Sequence, residues 1–124
     1  MEAAQSEKLV REFCAAWPRM DIDELLGWFG DGSVYHNIPM PPAEGKDAIR
    51  AVLELFVPLA SSIEFDIRHL VADGNVVLTE RVDRFVVNGK PIELPVMGTF
   101  ELDDNGRIAA WRDYFDLNQW TSQM

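Results

Sequence analysis

Cysteine, histidine and positive charge are all scarce in this sequence, and each scarcity excludes something. A single cysteine, Cys14, rules out an internal disulfide. Two histidines and that one cysteine would need carboxylates to complete a zinc site, and no ligand spacing suggests one, so no metal is expected. Eleven basic against 21 acidic residues leave a formal net charge of −10, which argues against nucleic acid or an anionic membrane as partner. No apolar run approaches the length of a membrane span, since Leu9 to Trp17 is broken by Arg11 and Glu12. The first residues lack a signal-peptide profile, and a reducing cytoplasm is the expected setting. Internal repeats, low-complexity tracts and linkers are also missing.

What remains is a soluble globular balance: 124 residues, 48% apolar and 26% charged. By size this is one domain, residues 1–124, able to bury roughly two-thirds of its unfolded surface. The first third reads as helical. Leu9, Val10, Phe13, Cys14 and Trp17 share one helical face, and Pro18 blocks continuation. Asp21 and Glu24 form a capping-box pattern ahead of Ile22, Leu25, Leu26 and Phe29, and Gly30-Asp31-Gly32 closes that second helix. A short strand spans 33–38, then a third helix spans 45–59, with Ile49, Val52, Leu53 and Phe56 at helical spacing. From there the period changes to two. Segments 63–71, 76–87, 91–102 and 108–117 read as strands, separated by Asp73-Gly74, Asn88-Gly89 and Asn105-Gly106. Helices in front and an antiparallel meander behind indicate an α+β class.

Several polar residues fall where apolar ones are expected. In the last strand Trp111, Asp113, Phe115 and Leu117 alternate onto one face, so Asp113 interrupts an apolar stripe. A buried carboxylate needs a partner, and such groups are candidates for acid–base work. An isolated structural ion pair reads equally well from the stripe alone. In the second of the four strands Thr79, Arg81, Asp83 and Phe85 share one face and Glu80, Val82 and Arg84 the other. Both faces carry charge, so periodicity does not choose the inward one, and a solvated ladder of Glu80, Arg81, Asp83 and Arg84 is the alternative. If the first face is inward, Arg81 can bridge Asp83 and Asp113, because a guanidinium has five donors. Two acids and one cation leave one negative charge in excess. One shared proton removes it and divides the acids into a base and an acid. In the strand at 33–38, Tyr35 and Asn37 share a face and offer uncharged groups able to position a water. Leu94 and Val96 continue the apolar face of Ile92 and Phe100. With Phe56, Phe85 and Phe115 they suit either a pocket wall or a core. His36 alternates away from Tyr35, His69 lies outside the set, and Cys14 reads as inert packing.

Three strings taken together, Tyr35-His36-Asn37 followed by Ile38 to Pro42, Thr79 to Asp83, and Trp111 to Leu117, resemble the limonene-1,2-epoxide hydrolase family. The resemblance runs from the first helix to the last strand. It implies the nuclear transport factor 2-like cone, a strongly curved mixed sheet wrapped by three to four N-terminal helices around a deep pocket. It also implies a homodimer; a bacterial cytoplasm fits, and no cofactor is expected. By this resemblance Asp113 is the general base, Tyr35 and Asn37 hold the attacking water with it, Asp83 is the general acid, and Arg81 bridges the two aspartates and helps orient the substrate. The implied partners are water and a small apolar epoxide, held by Leu94, Val96, Phe85, Phe56 and Phe115. The sequence departs from the family in having almost no N-terminal extension and in its apolar pocket positions.

The implied chemistry matches the residue types. An epoxide is strained, so the barrier lies in a poor nucleophile and a poor leaving group. A base and an acid relieve both, each by roughly 10²–10⁴-fold. A nucleophilic-aspartate route needs an activating histidine with its own carboxylate, and no G-x-S-x-G elbow is present. Two other readings use the same cone. A ketosteroid-isomerase-like or polyketide-cyclase-like enzyme gives no role to an arginine between two aspartates. A non-catalytic binding or dimerisation module does not need that cluster at all.

Overall fold

The computed structural model describes residues 1–124. Helix α1 (Ala3–Ala16) ends in a 3₁₀ turn at Trp17–Arg19 that contains Pro18. Helix α2 (Ile22–Leu26) is capped by Asp21, whose carboxylate accepts the Glu24 N–H at 3.1 Å. Strands β1 (Phe29–Asn37) and β2 (Ala43–Glu44) precede helix α3 (Lys46–Phe56). Strands β3 (Ala60–Asp73), β4 (Val76–Val87), β5 (Lys90–Leu102) and β6 (Ile108–Tyr114) form the predicted antiparallel meander. A short helix α4 (Leu117–Thr121) follows. The six strands make one curved, mixed sheet in the order β2-β1-β6-β5-β4-β3, with β1 parallel to β6. The α+β expectation therefore holds. No helix is long and apolar enough to cross a membrane.

Several boundaries differ from the sequence reading: the third helix gives way to a 3₁₀ turn at Val57–Leu59, β3 extends beyond 63–71 at both ends, and β2 was not expected. Phe29 and Gly30-Asp31-Gly32 belong to β1, not to the second helix or its terminator. Phe29 pairs with Ile108 across to β6 and is buried against Phe13 and Trp111. The register slips between Phe29 and Val34, so the two glycines make an irregularity inside the strand. At the other end, β6 stops at Tyr114 and not at Leu117. Asp116 caps α4 by accepting the Asn118 N–H at 2.9 Å, which turns a run that alternates like a strand into a helix. The third predicted turn is also longer than a two-residue hairpin. Residues 103–107 form a loop in which the Asp103 carboxylate accepts the N–H groups of Asn105 and Arg107. At Asn88-Gly89, by contrast, both residues have positive φ (52° and 77°), as a tight turn of this hand requires.

Burial along β4 resolves the question of which face is inward. Thr79, Arg81, Asp83 and Phe85 are buried; Glu80, Val82 and Arg84 are not. The core beneath is aromatic. Trp111 is sandwiched between Tyr35 (4.3 Å, 8°) and Phe100 (5.2 Å, 16°), and Phe13 meets its edge at 5.1 Å.

Candidate active site

The hairpin turn at Asn88-Gly89 sets the register of β4 on β5, and that register builds the site. Thr79 lies opposite Gly98, Arg81 opposite Val96 and Asp83 opposite Leu94. On the far side of β5, Gly98 lies opposite Asp113 of β6, and Asp113 is in turn paired with Asn37 of β1. One row across the sheet thus reads Thr79, Gly98, Asp113, Asn37, with Arg81 and Asp83 just beyond it on β4.

The Arg81 side chain runs diagonally across this row and joins the two aspartates. Its Nε donates to Asp83 Oδ1 at 3.0 Å, and Nη2 donates to Asp83 Oδ2 and Asp113 Oδ2, both at 2.8 Å. Nη1 donates to Asp113 Oδ1 and Thr79 Oγ1, both at 3.2 Å. All five N–H groups are satisfied. The guanidinium is entirely buried, the two carboxylates are nearly so, and the Phe65 ring covers it with its centroid 4.8 Å from Cζ. Burial opposes the charge on Arg81, but the two carboxylates hold its pKa well above the usual value.

The two acids are not equivalent. Asp113 accepts three donors, two from Arg81 and one from Trp111 Nε1 at 2.7 Å. Asp83 accepts two, both from Arg81. Burial pushes the Asp83 carboxyl up to about 6, against the pull of Arg81 and aided by the negative charge of Asp113. Burial therefore favours a proton on Asp83. The Tyr35 hydroxyl donates to Asn37 Oδ1 at 3.3 Å, and burial with the nearby Asp113 raises its pKa far beyond the phenol range, so it stays a donor.

A cavity of about 300 Å³ stands over the pair. Asp83, Asp113 and Asn37 are its only lining residues that are not hydrophobic or aromatic, and Tyr35 lies beside them. Phe56, Phe85, Leu94, Val96 and Phe115 all line it. Its deepest residues, among them Leu53 and the two aspartates, are at most 5% exposed, whereas Leu55 and Leu59 are 76% and 52% exposed, so they mark the mouth. Two wider depressions on the surface contain no such buried acid pair. Arg81 is not part of the cavity lining, so any effect it has on a ligand passes through the aspartates it holds.

His36 bonds to the Met40 carbonyl and His69 to Glu80, both at the surface. The Cys14 thiol is buried and pushed up to about 12, which makes it inert. Three supporting residues were not singled out by the sequence reading. Trp111 orients Asp113, and its place two residues before Asp113 on one strand face was a usable signal. Thr79 accepts from Arg81 and donates to the Gly98 carbonyl at 3.3 Å. Gly98 is the third: a Cβ there would run into Arg81 Nη1 and stand 2.6 Å from Asp113 Oδ1, so only a glycine lets the guanidinium cross β5.

Two outcomes follow. Gly98→Ala should destabilise the fold by roughly 1–3 kcal/mol in urea unfolding, because the displaced atoms are buried and hydrogen-bonded. The raised Asp83 pKa means that the folded state binds more protons than the unfolded one between the ordinary carboxyl value and about 6. Stability therefore falls as pH rises through that window, by roughly 2–3 kcal/mol. Asp83→Asn should flatten this fall in urea titrations between pH 4 and pH 7, a range set by that window.

Comparisons with known proteins assign the family. The family model for the limonene-1,2-epoxide hydrolase catalytic domain matches residues 4–124. Epoxide hydrolase EphG of Mycobacterium tuberculosis is 34% identical over 110 residues, covering 87% of this chain and 71% of that protein. A solved structure of an M. tuberculosis LEH-like epoxide hydrolase superimposes with a TM-score of 0.79 at 31% identity, over 98% of this chain and 90% of that one. A protein from Shewanella denitrificans named for SnoaL-like polyketide cyclases superimposes with a TM-score of 0.85 at 19% identity, over 95% of each chain, which is a likeness of fold alone. The chain belongs to the limonene-1,2-epoxide hydrolase family and is an epoxide hydrolase.

Proposed function

We propose that the protein adds water to a small apolar epoxide in one step, giving a vicinal diol, with residues 1–124 acting as a single domain and no cofactor. The observation that carries this reading is the Asp83–Arg81–Asp113 cluster, buried and fully hydrogen-bonded at the floor of an otherwise apolar cavity. Asp113 is the base. Its Oδ1 already accepts from Trp111 and Arg81, while Oδ2 accepts only from Arg81 Nη2, so Oδ2 keeps a lone pair for the proton of the attacking water. Tyr35 and Asn37 hold that water. Asp83, protonated, donates to the epoxide oxygen as the C–O bond breaks. Asp113 gains one proton and Asp83 loses one, so the cluster keeps its proton count and is reset by moving a single proton from one acid to the other.

The apolar lining and the lack of any lining cation support an uncharged substrate. An isomerase or cyclase reading draws support from the shared fold only. A single carboxylate base beside a carbonyl would leave the second aspartate and its arginine bridge without a task.

We also assign a homodimer in a bacterial cytoplasm. The outer sheet face supports the dimer. Met97 and Tyr114 are cross-strand partners there and, like Leu78 on β4, are about half exposed, which leaves apolar area that a second copy can cover. Sedimentation equilibrium should give twice the chain mass of 14.1 kDa, and Met97→Glu should shift the equilibrium to monomer. A wild-type protein that sediments at the single-chain mass at high concentration removes the assignment.

For the reaction, Asp113→Asn and Asp83→Asn should each lower diol formation by about 10³-fold or more while the fold survives. A single turnover in heavy-oxygen water should place the label in the diol only. Label recovered in an aspartate carboxyl would mean a covalent ester intermediate and would sink the water-attack scheme.

A further inference from the structure

The outer wall of the cavity is the last helix, and the segment after it is held to the edge of β5 by Gln123 and by Lys90, whose Nζ donates to the Met124 carbonyl at 3.0 Å. β6 ends at Tyr114, opposite Met97, whereas β5 begins at Lys90. Residues 90–96 of β5 therefore have β4 on one side and no strand on the other. Such an edge presents unpaired N–H and C=O groups. At Glu93 the carboxamide of Gln123 meets both of them: the Glu93 N–H donates to Gln123 Oε1 at 2.9 Å, and Gln123 Nε2 donates to the Glu93 carbonyl at 2.8 Å. A carboxamide carries the donor and acceptor of a peptide group side by side, so it pairs with a strand edge as one residue of an added strand would. The same Nε2 also donates to the Gln119 carbonyl at 2.5 Å, which ties the clamp to α4 itself.

Helix α4 has five residues, far below the length at which a helix holds itself in water, so its place depends on tertiary anchors. Its inner anchor is Trp120, edge-on to Phe85 at 5.2 Å and tilted against Phe56 at 5.6 Å. Leu117 and Trp120 are cavity wall; Gln123 is not. An outward shift of α4 removes the Trp120 wall and leaves the floor intact, because every bond of the Asp83–Arg81–Asp113 cluster is made by β4 and β6.

We propose that Gln123 is a positioning residue that sets the largest epoxide the cavity accepts, by clamping α4 to the free edge of β5. With the clamp closed, Trp120 favours compact cyclic hydrocarbon epoxides over those carrying extra aryl rings. The proposal rests on the epoxide-hydrolase reading for its substrate and on the Gln123–Glu93 geometry for its mechanism.

The test compares the unmodified protein with Gln123→Ala and with Gln123→Glu, which keeps the acceptor for the Glu93 N–H and loses the donor to its carbonyl. Three quantities are measured: kcat/KM for cyclohexene oxide and for trans-stilbene oxide, the affinity for the neutral dye N-phenyl-1-naphthylamine, and amide hydrogen exchange across residues 117–121. In Gln123→Ala the kcat/KM ratio of the bulky to the compact epoxide should rise by about fivefold or more, through KM for the bulky one. The dye should bind about threefold tighter, and the α4 amides should exchange about tenfold faster. Gln123→Glu should lie between the two. Unchanged exchange in α4 overturns the clamp. Faster exchange with unchanged epoxide preference and dye affinity overturns its role in size selection. If the unmodified protein turns over neither epoxide, the hydrolase reading fails on its own, and dye affinity with exchange still decides the clamp.

Discussion

One guanidinium between two carboxylates organises this molecule. Removing three charges from water costs several kcal/mol for each ion, and the cost is offset only when every donor and acceptor is met. Arg81 meets that condition with five donors placed on three side chains. The requirement propagates outward. Gly98 must lack a side chain, Thr79 must offer an oxygen, Phe65 must cover the cation, and Trp111 must turn its N–H toward Asp113. Even then the cluster holds one negative charge too many. Burial raises Asp83 against the pull of Arg81, so the desolvation that makes the cluster expensive also favours a proton on that acid.

Much of this was legible in the residues, and the limits have physical causes. Alternation along β4 offered two faces and could not choose, since both carry charge. The choice lay in a longer-range inference. A two-residue turn at Asn88-Gly89 fixes the register, which sets Arg81 and Asp83 opposite Val96 and Leu94 on the apolar face of β5. The same register sets Gly98 opposite Thr79, so the need for a glycine was readable as well. Phe29 was read as helical because it continues the spacing of Ile22, Leu25 and Leu26. Pairing with Ile108 and a place among Phe13 and Trp111 outweighed that spacing. Phe115 and Leu117 continue the alternation of Trp111 and Asp113, yet they reach the cavity from the link after β6 and from α4. Alternation over two residues does not separate a strand from the entry to a capped helix.

The frame alone does not select the chemistry. The SnoaL-like structure fits this chain with a TM-score of 0.85, above the 0.79 of the LEH-like epoxide hydrolase, while its identity is 19% against 31%. Similar backbone curvature therefore accompanies different residues. The features that the proposed chemistry draws on are local: a pair of acids two strands apart in one sheet, with a cation long enough to reach both and a glycine over which it can pass.

Concentrating all polarity at the floor also bears on how a turnover ends. An epoxide brings one acceptor and no donor, so an apolar wall costs it little. The diol brings two hydroxyl donors, and only the four floor residues are placed to receive them. A hydroxyl left unpaired against that wall costs about 1–3 kcal/mol, so the reaction itself weakens the hold on what it makes. The exit lies past Leu55 and Leu59, which are already open to solvent, and Leu117 and Trp120 of α4 line the same cavity. A cavity with polar groups spread along its wall would retain the diol. Confining them to one end suits the proposed mechanism, in which one set of residues holds and opens the substrate beside a wall that does not retain the product.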